Sequence, residues 1–302
     1  MYSPSEKAMP IRQPSTANLM IDSEDGDAKE QTGTRRLNPW FFQISRPQSL
    51  LNGFFTRIGT TEVVLEWNLP NINEDLSNNW LEFDISGAPA NPYRIYIPTG
   101  FYTVSQLLNN WQTEFNSSTP ATMTIKYDAS GASTTAYPLN IDFGADYVLI
   151  QPSPLAYQLG LPTGGYFPPN DDVYIINPDL RAYRYIDFIS SQLTYNQDLK
   201  DSATNKIVRD VLCRWYMSWD VPTDKDEYGF PIDMGLTPFK ARRLYNPPKQ
   251  IRWDNSQPIG VLAFEVYGTT TFPASAYNNT LVVNPDYDGR SNWLMTLQVS
   301  EV

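Results

Sequence analysis

The chain is 302 residues long, sets 33 acidic against 22 basic side chains for a formal net charge of −11, and contains no histidine and one cysteine. Without imidazole there is no Ser-His-Asp triad, no Cys-His pair and no histidine-ligated zinc site. A single cysteine excludes an intrachain disulfide and fits a reducing compartment, and the acidic balance repels a phosphate backbone unless bases gather on one face. Hydrophobic residues at 41%, with 19 Tyr and 8 Trp, suffice for a packed interior, and 25 Pro with 16 Gly suit a fold of many turns. Single β-sandwiches run to about 200–250 residues, so one large core with long loops and an arm is expected.

Residues 1–38 are polar, interrupted by Pro4, Pro10 and Pro14, and acidic at Asp22, Glu24, Asp25 and Asp27. This composition predicts a flexible N-terminal arm in which Leu19-Met20-Ile21 is a candidate docking motif. Met1 to Glu6 lack a basic stretch leading into an apolar core, so no signal peptide is expected. Order is expected from Trp40-Phe41-Phe42 onward, with residues 39–302 forming the domain.

Period-2 alternation then recurs, the mark of half-buried strands. Val63, Leu65 and Trp67 oppose Glu62 and Glu66, while Leu81, Phe83 and Ile85 oppose Glu82 and Asp84. Further sets are Tyr93, Ile95 and Ile97; Met123, Ile125 and Tyr127; and Leu139, Ile141 and Phe143, followed by short runs at 147–150 and 183–193. Residues 207–219 read as the longest strand, with Val211, Cys213, Trp215 and Met217 on one face. Leu262, Phe264 and Val266 form another, and Trp293, Met295, Leu297 and Val299 the last.

Two helices interrupt this rhythm. Thr103 and Gln106 form a capping box ahead of Val104, Leu107, Leu108, Trp111 and Phe115. Ser153 caps a shorter one with Pro154 at its first position and Gly160 after its end. The Pro-rich stretch 220–256 reads as a long excursion between strands, a length that is usually functional or partner-bound. About ten strands and no βαβ alternation predict an all-β fold, an antiparallel β-sandwich of the single jelly-roll type with one or two short helices and long loops.

No residue set points to catalysis, a cofactor or a metal. Asp224-Lys225-Asp226-Glu227-Tyr228-Gly229 begins like a calcium loop, but Gly235 stands where such a loop needs its twelfth-position acid, so a solvated acidic turn is expected. Lys240, Arg242, Arg243, Lys249 and Arg252 form one basic cluster, readable as a solvated face or as a surface for an acidic neighbour. Asp187 lies among Tyr185, Ile186, Phe188 and Ile189, and a lone carboxylate makes no glycosidase. Cys213 reads as a core thiol. The sequons at Asn116 and Asn278 are read as chance matches, and Asp288-Gly289-Arg290 reverses the integrin-binding order. Tyr166-Phe167, beside Gly164-Gly165, are candidates for stacking on sugars.

Four segments resemble the minor capsid, or penton, proteins of virophages and polinton-like viruses. They are Asn52-Gly53-Phe54-Phe55-Thr56-Arg57-Ile58 running through 61–67 to Pro70-Asn71-Ile72; Pro98-Thr99-Gly100-Phe101-Tyr102-Thr103 with the helix bearing Leu107 and Leu108; Leu155 to Gly160; and Ser291-Asn292-Trp293-Leu294-Met295-Thr296-Leu297. The resemblance covers the framework from about residue 50 onward and leaves out the arm and the loops. It implies a single jelly roll that assembles as a homopentamer at the fivefold vertices of an icosahedral virion, beside a double-jelly-roll major capsid protein. The residues themselves predict no enzyme activity and no cofactor, the acidic balance no nucleic-acid partner, and the lack of any run of about 18 apolar residues no membrane span. The alternative is a carbohydrate- or receptor-binding β-sandwich, such as a viral fibre or lectin-like module.

Overall fold

The computed structural model describes residues 16–25, 39–45, 56–88, 92–127, 139–194, 201–202, 208–209, 211–218, 224–252, 260–270, 278–281 and 291–300. The strands are, in chain order, β1 (Thr16–Asp22), β2 (Phe41–Ser45), β3 (Arg57–Trp67), β4 (Trp80–Ile85), β5 (Tyr93–Tyr96), β6 (Thr124–Tyr127) and β7 (Leu139–Asp142). They continue with β8 (Val148–Ile150), β9 (Tyr166–Phe167), β10 (Asp172–Tyr174), β11 (Tyr183–Ile189), β12 (Asp201–Ser202), β13 (Val208–Arg209) and β14 (Val211–Tyr216). Last come β15 (Phe239–Leu244), β16 (Gln250–Arg252), β17 (Val261–Thr270), β18 (Asn278–Leu281) and β19 (Asn292–Ser300). The helices are α1 (Val104–Ser118), α2 (Pro154–Gln158) and α3 (Ser191–Thr194).

Eight of these strands build a jelly roll. One sheet has the order β1-β19-β3-β15, with β16 also on β3; the other has β2-β17-β11-β14, with β18 also on β17, and every pairing is antiparallel. Numbered along the chain, the two sheets read first-eighth-third-sixth and second-seventh-fourth-fifth, the interleaving of two Greek keys. Between the sheets lie Trp40, Phe42, Val63, Leu65, Trp67, Ile186, Phe188, Trp215, Phe264, Trp293, Met295 and Leu297. Trp293 is central, with its ring centroid 5.0 Å from Phe188, 5.4 Å from Phe42 and 5.6 Å from Phe264.

The chain leaves the jelly roll after β3 and returns at β11. The residues between form sheets β5-β4-β8-β9 and β10-β7-β6, which with α1 and α2 enclose a second core around Phe83, Trp111, Phe115, Ile141 and Phe143. The exit and return points adjoin, since the rings of Trp67 and Tyr183 meet edge-on at 6.1 Å. Buried amides close this junction. Asn71 Nδ2 donates to the carbonyls of Tyr102 (2.9 Å) and Leu180 (3.1 Å), while its Oδ1 accepts from Tyr102 N (2.9 Å). Asn78 Nδ2 donates to Asn71 O and to Gln158 Oε1, and Gln158 Nε2 donates to Arg181 O. Amides in a dry interior are tolerated because they are paired.

The all-β antiparallel class, most strands and both sequence-read helices lie where alternation and capping predict them. The Thr103–Gln106 capping box forms, and Ser153 caps α2. Five expectations are corrected. Residues 16–25, expected in the arm, form β1 and a short 3-10 turn, because Leu19 and Ile21 pack inward while β19 supplies the hydrogen bonds; the rest of 1–38 lies outside the described residues. The single core is two cores. The single strand expected over 207–219 is instead β13, paired with β12, and β14, paired with β11, with Ile207, Asp210 and Trp219 outside the described residues, and the run 183–193 ends in α3. The excursion 220–256 contains β15 and β16, and within it Phe230, Ile232 and Leu236 pack on the second core.

Candidate functional site

Asp226 sits beside the start of α1. Its Oδ2 accepts from Ser105 N (3.0 Å), and its Oδ1 accepts from Tyr228 N (3.0 Å) and Phe230 N (2.9 Å). Backbone amides at a helix start satisfy a carboxylate and are satisfied by it. Asn109 Nδ2 donates to Glu227 Oε1, Tyr228 Oη donates to Asn109 Oδ1, and the Tyr127 and Tyr228 rings lie 5.0 Å apart. The acidic turn is solvent-exposed at Asp224, Lys225 and Glu227, as expected, and through Asp226, Glu227 and Tyr228 it also clasps the inserted unit. Among the described residues no three His, Cys, Asp or Glu side chains group as a metal site, and no helix is long and apolar enough to cross a membrane.

The basic cluster is divided by the pleat of β15. Lys240 and Arg242 point outward and pair with Glu66 and Glu62 on the neighbouring β3. Arg243 points the other way, its guanidinium 4.9 Å from the centre of the Trp215 ring. Lys249 Nζ donates to Val211 O at 2.9 Å, and Arg252 ends β16 opposite Arg57.

Asp187 is 2% exposed and has a partner that its local sequence does not reveal. Arg214 stands opposite it on β14 and binds both carboxylate oxygens, Nε to Oδ1 at 2.7 Å and Nη2 to Oδ2 at 2.9 Å. The same guanidinium covers the Tyr185 ring at 3.9 Å, and its pKa is raised, chiefly by the hydrogen bond to Asp187. This forked pair is a structural clamp. Cys213 is buried, and desolvation pushes its thiol up to about 12, the opposite of a nucleophile's needs.

The outer face of β5-β4-β8-β9 gathers aromatic side chains. Tyr96 stands opposite Trp80, whose ring lies under the Arg94 guanidinium at 4.4 Å, and Arg94 pairs with Glu82. Farther along, Tyr166, 56% exposed, stands opposite Leu149, which faces Asp84, and Tyr147 is exposed nearby. Phe167 turns inward onto the second core. The structure thus divides Tyr166-Phe167 into one surface ring and one core ring. Asn116 is committed to its own loop, with Nδ2 donating to Met123 O and Oδ1 accepting from Met123 N. Asn278 begins β18, and 288–290 lie outside the described residues.

No family model and no curated protein matches the sequence. Among solved structures the chain is similar to the selenomethionine-labelled mavirus penton protein, at 8% identity and a TM-score of 0.46, over 96% of this chain and 100% of that one.

Proposed function

We propose that this chain is a structural minor capsid protein, a penton that forms homopentamers at the fivefold vertices of an icosahedral virion next to a double-jelly-roll major capsid protein. The observation that supports this reading is the strand order β1-β19-β3-β15 over β2-β17-β11-β14, a jelly roll of the kind used by capsid and lectin domains. Of the penton-like segments named from the sequence, two fall on the jelly roll, with residues 57–67 in β3 and 292–297 in β19, and two on the inserted unit, with 98–103 leading into α1 and 155–158 in α2. In this reading the chain works by packing, with no cofactor and no nucleic-acid partner. Mass photometry of the purified chain is expected to give a pentamer, and cryo-electron microscopy of particles to place it at vertices. A monodisperse monomer at high concentration, missing from purified virions, overturns the reading.

The exposed Tyr147 and Tyr166, with Trp80 and Tyr96 on the same face, favour carbohydrate binding as the alternative function. A specific glycan-array signal abolished by Tyr166→Ala supports that alternative; a blank array opposes it.

A further inference from the structure

The first sheet of the jelly roll ends in two strands of opposite charge. The β1 margin carries Asp22 and, just beyond it, Glu24 and Asp25. The opposite margin, β15 with β16, carries Lys240, Arg242 and Arg252. The two most exposed large apolar side chains among the described residues sit on these same margins, Met20 at 64% and Leu244 at 62%.

The ladders place these groups in matching rows. Met20 faces Thr296, Thr296 faces Glu62, and Glu62 faces Leu244. In the next row Asp22 faces Leu294, Leu294 faces Val64, and Val64 faces Arg242. All four marginal side chains lie on the outer face, since Ile21 between the first two and Ala241 beside Arg242 pack on the core.

A single exposed Leu or Met means little, and charge on an edge strand commonly guards against stray pairing. Here the signs differ between the edges, so like edges repel and unlike edges attract. Four antiparallel strands also leave the outer two running in opposite directions. Rotation about an axis along the strands preserves direction and height. It brings β1 of one copy beside β15 of the next, antiparallel and row against row. That is a heterologous contact, which closes into a ring when the rotation divides a full turn.

We propose that copies of this chain join head to tail through opposite edges of this sheet, Met20 of one against Leu244 of the next and Asp22 against Arg242. The proposal rests on the ring-forming reading above and supplies its contact surface. Arg242 and Lys240 remain 62% and 67% exposed despite their internal partners.

The test combines Met20→Cys and Leu244→Cys in the full chain. Facing antiparallel positions hold Cβ atoms about 4.5–5.5 Å apart, close enough for a disulfide after slight adjustment, and Cys213 is buried away from the reaction. Mild oxidation is expected to give a ladder ending at the ring size on non-reducing gels, with each single variant staying monomeric there. As a second measurement, Asp22→Lys is expected to weaken assembly roughly tenfold through lost charge complementarity, and adding Arg242→Glu to restore it. A ring that persists without a ladder and ignores Asp22→Lys overturns this contact and leaves the ring reading standing. Cross-linking of Met20→Cys alone overturns it too, by showing like edges in contact. A chain that is monomeric at every concentration overturns both.

Discussion

Asp187 holds both its oxygens on the Arg214 fork, buried on the face of β11 that also carries Tyr185. Removing one member of such a pair strands the other charge, whereas removing both relieves it. Asp187→Ala is expected to cost about 3 kcal/mol in urea unfolding, and the double change Asp187→Ala, Arg214→Met to recover most of that. Cys213 gives a pH signature. Burial raises its thiol from 9.0 to about 12, and burial likewise raises neighbouring Tyr245 above 10.0. Between about pH 9 and 12 the unfolded chain releases the thiol proton that the folded chain keeps, so stability present below pH 9 is lost as pH rises. The urea midpoint is expected to stay level up to about pH 9 and then fall, with a shallower fall in Cys213→Ala. The sequence marks Cys213 as a core thiol, and it is one; Asp187 is buried too, but on the face of β11 opposite to Ile186 and Phe188. The sequence does not disclose Arg214 as a partner, because cross-strand register is set by sheet pairing and not by neighbours in the chain.

At the scale of elements, α1 is held at its start by two devices, one local and one distant. Thr103 accepts from Gln106 N, and the Gln106 side chain returns a bond to Thr103 N, a pattern readable from four residues. Asp226, 121 positions away from Ser105, adds a second acceptor that only the fold brings near. Asp226→Ala is expected to cost about 1–2 kcal/mol and to lower the melting temperature by roughly 2–4 °C per kcal/mol. Calcium or a chelator is expected to leave that temperature unchanged in the parent chain, because the carboxylate is spent on amides. The strands hidden from sequence reading are hidden for a physical reason. β15 alternates as Phe239, Ala241, Arg243 inward, but a pattern reader assigns Arg243 to solvent, while the Trp215 ring receives it. β1 has only Leu19 and Ile21 to bury, so its order comes from pairing with β19 and not from its own composition.

The whole molecule is a sandwich with a second packed unit spliced into one of its connections. Alternation reports which side chains turn inward, and does so well here, but it carries no label for which interior they enter. That is why β4, β7 and β17 read alike although β4 and β7 serve one core and β17 the other. Separate cores imply separable opening. Phe83→Ala, a loss of about 3–5 kcal/mol, is expected to raise amide hydrogen exchange in β4, β7 and α1 while β17 and β19 stay protected; equal loss everywhere overturns that separation. The pairing of β19 with both β1 and β3 also has a consequence in time. During synthesis at roughly 5–20 residues per second, β3 leaves the ribosome on the order of tens of seconds before its neighbour β19 exists. The inserted unit draws most of its contacts from its own stretch of chain and is free to fold in that interval. The sandwich closes only when residues 292–300 arrive between the two waiting strands, so until then the flanks of β1 and β3 present unpaired backbone groups on the nascent chain.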